Sequence, residues 1–215
     1  MSLLLDLIFP KTCYGCGQTG DYLCPKCQKQ ITVLNTKSPE NGFAGGLSLF
    51  KYNFAIKSAI TDLKYNFVSD NVDNLVNFMV KTLKSNFPNL IKYWHQNNFV
   101  LIPIPLHHSR QNWRGFNQSE ILAQKLAQKL SINFSNQVLI RHQNSIIQAR
   151  LKNIKDRTKN VANIFSLSPT LGKLKHKNFI LFDDVNTTQS TLISAQKTLK
   201  VLFPNQCWYL TLSAG

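Results

Sequence analysis

Acidic residues are scarce in this chain. Ten Asp and Glu stand against 25 Lys and Arg in 215 residues, for a formal net charge of +15. The shortage is uneven: from Phe99 onward 15 Lys and Arg face only 4 Asp and Glu, and no arginine occurs before Arg110. Such a balance favours polyanionic partners, through electrostatic steering and release of counterions from a phosphate backbone, although a basic surface that only keeps the chain soluble would read the same way. Long hydrophobic runs are also missing, since no stretch approaches the roughly 20 apolar residues that a membrane span needs. A hydrophobic content of 43% nevertheless suits one buried globular core and excludes a disordered chain. The opening Met1 to Pro10 is apolar but has neither a basic start nor a small-residue cleavage site. No signal peptide is expected, and the cytoplasm is the expected compartment.

Cysteine is sparse and clustered, with four of the five at Cys13, Cys16, Cys24 and Cys27. Two Cys-x-x-Cys pairs, with glycines at 15, 17 and 20 to permit tight knuckle turns, can set four thiolates tetrahedrally around one structural zinc. Disulfides are the alternative, disfavoured in a reducing compartment. Cys207 lies in an apolar run and reads as a core residue. The expected division is a zinc knuckle or ribbon module over 1–35, a linker rich in Asn, Ser, Pro and Gly over 36–46, and an α/β domain over 47–215.

Within that domain the most informative stretch is Phe179 to Thr191, FILFDDVNTTQST. Four consecutive apolar residues suit a strand buried on both faces of a parallel sheet. Asp183 and Asp184 follow, then a hydroxyl-rich turn, then Leu192, Ile193, Ala195 and Leu199 at helical spacing. A helix N-terminus offers free N–H groups and a positive dipole end, so Thr187, Thr188, Gln189, Ser190 and Thr191 can cradle a phosphate while the carboxylates hold neighbouring hydroxyls. An ordinary strand-to-helix turn with an N-cap threonine fits the same residues. Strands are also expected over 46–54, 99–105, 138–141 and 208–212, and helices around 56–63, 75–83 and 122–130. Between Pro105 and Glu120 basic, aromatic and amide residues interleave in what reads as a loop. Trp113 and Phe116 suit stacking on bases, and Arg110 and Arg114 suit phosphates. Asn117 and Glu120 resemble a capping box. His107 and His108 have no further metal ligand at useful spacing and read as surface residues. Arg150 and Arg157 belong to a basic run over 141–159 that is either a phosphate-contacting segment or a solvated face.

The strand, Asp-Asp and Thr-rich turn together resemble the phosphoribosyl diphosphate motif of type I phosphoribosyltransferases. That resemblance implies ribose hydroxyls on Asp183 and Asp184 and a terminal phosphate, accompanied by Mg²⁺, on the 187–191 loop. Where Gln189 stands, the family usually has glycine, which permits a positive φ and close backbone approach, so Gln189 is expected to weaken phosphate binding and turnover. Pro103-Ile104-Pro105, Arg110, Arg114-Gly115-Phe116-Asn117-Gln118 and the spaced Gln148, Leu151, Arg157, Asn160 and Phe165 resemble the ComF family of competence proteins more narrowly. The N-terminal cysteine module agrees, as does Lys64-Tyr65 more weakly. This resemblance implies a type I phosphoribosyltransferase-like, mostly parallel sheet and a role in DNA uptake during natural transformation. It further implies single-stranded DNA as a partner, alongside an ATP-driven uptake protein. Arg150 and Arg157 would then contact diphosphate or DNA. An active phosphoribosyltransferase with an unknown acceptor is the alternative.

Overall fold

The computed structural model describes residues 10–65, 69–142, 164–169, 174, 177–202 and 204–215. Arg150 and Arg157, with Gln148, Leu151 and Asn160, lie outside the described residues. The elements run α1 (Pro25–Gln28), β1 (Gly45–Lys51), α2 (Phe54–Tyr65), α3 (Ser69–Asn86), α4 (Pro88–Gln96), β2 (Phe99–Pro103), α5 (His108–Arg114), α6 (Gln118–Leu130), β3 (Asn133–Phe134), β4 (Leu139–Arg141), β5 (Phe165–Leu167), β6 (Asn178–Asn186), α7 (Ser190–Leu199) and β7 (Cys207–Ala214). Five strands form one sheet in the order β1-β7-β6-β2-β3, with every pairing parallel. β4 and β5 form a separate antiparallel pair.

The apolar run in β6 explains its central position. Ile180 and Phe182 enter a core with Leu47, Leu49, Leu101 and Leu210 beneath α2, α3 and α6. Phe179 and Leu181 enter a second core on the opposite face with Val100, Ile102, Tyr209 and Leu192. All four are fully buried, as a strand covered on both faces requires. Cys207 lies in the second core, where burial pushes its thiol up to about 12. Strand alternation continues past the apolar run, so Asp183 and Asp184 leave the carboxyl end of β6 toward different faces. Open α/β sheets place their ligands at this edge.

Two expectations need correction. Residues 107–119 are not an open loop: His108 to Arg114 is helical and Asn117 caps α6. His107 is buried rather than superficial. Its ring accepts from the Ser109 N–H at the start of α5, and its Nε2 lies 3.1 Å from the carbonyl oxygen of His142. Residues 37–46 lie against the domain, with bridges pairing Lys37 with Gly46 and Glu40 with Phe43. No helix among the described residues is long and apolar enough to cross a membrane.

Candidate sugar-phosphate site and metal centre

Asp184 is buried and held from two sides. Lys64 Nζ, at the end of α2, lies 2.8 Å from Asp184 Oδ2, and Gln118 Nε2 donates to the same oxygen at 3.1 Å. Gln118 Oε1 in turn accepts from Arg114 Nη1 at 2.6 Å. Asp183 is more open. Its Oδ1 accepts from Ser119 Oγ at 3.0 Å and from the Asp184 N–H at 2.9 Å. Asn117 anchors this corner, because its side chain accepts from Ser119 N and donates to the Ile104 carbonyl. The start of α6 therefore carries three consecutive residues bound to the strand ends. Its dipole also adds positive potential beside both carboxylates. Loss of water, and then the neighbouring Asp184 charge, raise the pKa of Asp183 to about 7 against the opposing pull of the Asp184 N–H, Ser119 and Lys64. A carboxyl poised there can hold or release a proton near neutral pH.

The loop after β6 bounds a pocket of about 50 Å³ lined by Asp183, Val185 and residues 186–192. Thr187, Thr188 and Ser190 are exposed, and the Thr188 and Ser190 hydroxyls lie 2.9 Å apart. The N-cap of α7 is Gln189 rather than a threonine, and its side chain makes no capping bond. Gln189 adopts the left-handed conformation, φ 56°, that a glycine would supply. Its side chain turns away from the helix start: the amide nitrogen donates to Glu40 at 3.0 Å and to the Tyr209 hydroxyl at 3.3 Å, and the amide oxygen accepts from Asn41. The glycine-type backbone is thus present without the glycine, and the Gln189 side chain does not cap the α7 N–H groups. A larger cleft of about 790 Å³ lies at the amino ends of β1 and β7, between residues 39–44 and 204–207. Glu40 and Asn41 of its lining also bond to Gln189.

Cations surround the pair. Arg141, on β4, is partly deprived of water, which lowers its pKa, while the charge of nearby Asp183 acts to retain the proton. Arg114 loses water likewise and feels Asp184, and Arg110 lies within electrostatic range of both arginines. Trp113 projects from α5 and is 69% exposed. Ser119 is the member that sequence patterns leave unmarked, whereas Lys64 enters only through the weak Lys64-Tyr65 resemblance and Arg141 only as the start of the basic run. A helix-terminal lysine carries little signal until a fold brings it across the sheet edge. Gln118 belongs to the Arg-Gly-Phe-Asn-Gln segment, but its carboxylate partner is 66 residues away.

The four N-terminal cysteines form a separate centre. Their sulfurs all lie within 4.8 Å of one another, and those of Cys16 and Cys24 are 3.7 Å apart. Tetrahedral zinc at a Zn–S distance of about 2.3 Å requires sulfurs roughly 3.8 Å apart, so the set fits one structural zinc. Burial works against a thiolate at Cys13, yet N–H groups of Cys24, Cys16 and Gly15 bring its pKa down to about 6. Gly15 is needed because a Cβ there would sit 2.7 Å from Cys27 Sγ. The module rests on the larger domain: the Tyr14 hydroxyl donates to Asp62 of α2, and Asn74 of α3 donates to Asp21 at 3.1 Å.

A parallel α/β sheet with an acidic pair and a hydroxyl turn at its carboxyl edge is thus joined to a four-cysteine module whose geometry fits zinc. The family described as "Double zinc ribbon domain" matches residues 4–38. Competence protein F of Haemophilus influenzae is 39% identical over 103 residues, which cover 48% of this chain and 44% of that protein. Competence protein ComFC of Bacillus subtilis is 26% identical over 205 residues, 88% of this chain and 78% of its own length. Among solved structures, a hypoxanthine phosphoribosyltransferase from Staphylococcus aureus aligns over 65% of this chain and 62% of its own, with 15% identity and a TM-score of 0.40. The chain is thus similar to competence proteins of the ComF type over much of its length. It spans less than half the length of the Haemophilus relative it matches.

Proposed function

We propose that the protein acts in DNA uptake during natural transformation. In this reading it holds single-stranded DNA on its basic face and a phosphoribosyl diphosphate-type ligand at the carboxyl edge of the sheet. The observation that carries the reading is the set of Lys64, Arg110, Arg114 and Arg141 around Asp183 and Asp184, beside a helix start with no side-chain cap. Carboxylates suit ribose hydroxyls, an uncapped helix start suits a phosphate, and the cations suit a diphosphate or a strand backbone. Mg²⁺ would enter with the diphosphate, whose charge it neutralises. The names of the Haemophilus and Bacillus relatives support a competence role, and resemblance adds a cytoplasmic setting beside an ATP-driven uptake protein. Binding of an unrelated single-stranded oligonucleotide should weaken steadily with salt, log K falling against log salt with a slope of about −0.7 for each phosphate neutralised. An affinity indifferent to salt defeats the electrostatic reading.

Phosphoribosyl transfer is the second reading, favoured by the left-handed backbone at Gln189, the conformation that a glycine at this position would supply. Incubation with phosphoribosyl diphosphate, Mg²⁺ and a panel of nucleobases and amines decides between them. Release of diphosphate that depends on the acceptor establishes transfer, and calorimetric binding without release leaves a ligand-holding site.

A further inference from the structure

We infer that Tyr65 and Trp113 form a stacking platform for a nucleobase on the rim of the carboxylate site. The inference deepens the strand-binding reading and rests on it. Tyr65 ends α2 and Trp113 lies in α5, so two elements distant in sequence bring the rings together. Their centroids are 5.9 Å apart at an interplanar angle of 72°. Edge-to-face contact holds the pair in place, yet Tyr65 remains 61% exposed and Trp113 69%. Two large exposed aromatics side by side are a common feature of interaction surfaces.

The surroundings specify that partner. The Arg114 guanidinium lies 5.6 Å from the Tyr65 ring centroid and adds positive charge beside the two rings. Lys64 is the neighbour of Tyr65 in α2, and Arg110 lies one turn before Arg114. A ligand with an aromatic face and a negative charge meets both requirements, which is the chemistry of a nucleotide. Arg114 also bonds to Gln118, and Gln118 to Asp184. A base on the platform thus sits a short chain of side chains from the carboxylates, with its sugar and phosphate directed toward the cations.

Trp113 supplies its own probe, because Trp94 is buried and Trp208 is half-buried. Three ligands are titrated into the full chain: a short oligothymidine, an abasic oligonucleotide of equal length, and thymidine monophosphate. Tryptophan fluorescence reports stacking, and anisotropy of labelled strands reports binding. Oligothymidine should quench strongly and the abasic strand should not. Trp113→Leu and Tyr65→Leu should each weaken oligothymidine binding by about 5- to 100-fold while hardly changing the abasic affinity, and Tyr65→Phe should restore it. Equal affinity for the two strands with no difference in quenching overturns the platform but leaves strand binding standing. Binding of neither strand removes the strand-binding reading and the platform with it, whether or not the monophosphate quenches Trp113.

Discussion

Asp183 is the titrating residue of the site. Its pKa is about 7 in the folded protein, against an ordinary carboxylate value near 4. Between those values the folded state keeps a proton that the unfolded chain has released. Stability from this group therefore falls as pH rises from about 4 to about 7, and the loss is complete above that. Asp183→Asn should raise the melting temperature relative to the parent, and the difference should be larger at about pH 8 than at about pH 5. A difference independent of pH contradicts the raised pKa. Gln189 yields a second expectation. Replacement by glycine relieves a left-handed residue, worth about 1 kcal/mol, but loses three side-chain contacts worth about 1 kcal/mol each. Gln189→Gly should therefore lower the melting temperature, while calorimetry should show phosphoribosyl diphosphate affinity within a few-fold of the parent. The acidic pair was legible in the sequence because it follows an apolar run directly. Lys64 was not, because its role depends on where α2 ends relative to β6, which no local pattern states.

At the level of elements, legibility followed burial. β6 and β2 are continuous apolar runs, and α6 shows a clear stripe at Leu122, Ala123, Leu126 and Leu130, so each was expected near its observed position. α5 was missed for a physical reason: it buries no residue and has no apolar face for periodicity to reveal. Its limits are set instead by the His107 cap and by Gly115, whose φ of 78° closes the helix in the left-handed region. The zinc module was legible from spacing, whereas its docking through Tyr14 and Asp21 was not. Gly15→Ala tests this element. The added methyl meets Cys27 Sγ and displaces one ligand of four. Metal analysis should show a clear loss of zinc per chain, with a lower melting temperature, and full zinc content in the variant would contradict the assigned ligand geometry.

Across the whole molecule, the parallel class of the sheet was legible but its strand order was not. The order β1-β7-β6-β2-β3 sets the last strand between the first and the sixth, and no short segment encodes that pairing. Charge asymmetry was readable by counting, but only the fold draws Lys64, Arg110, Arg114 and Arg141 to one edge. α2 spans the remaining distance. Its first turn brings Ala55 within 3.7 Å of where a Cβ on Gly15 would lie, its Asp62 receives the Tyr14 hydroxyl, and its end carries Lys64 and Tyr65. Loss of the metal is therefore expected to weaken ligand binding through α2. A partly metallated preparation should titrate as two populations, with the weak fraction matching the fraction lacking zinc. Measured stoichiometry then reports metal loading before it reports the number of sites, and adding zinc before titration should convert the mixture into one.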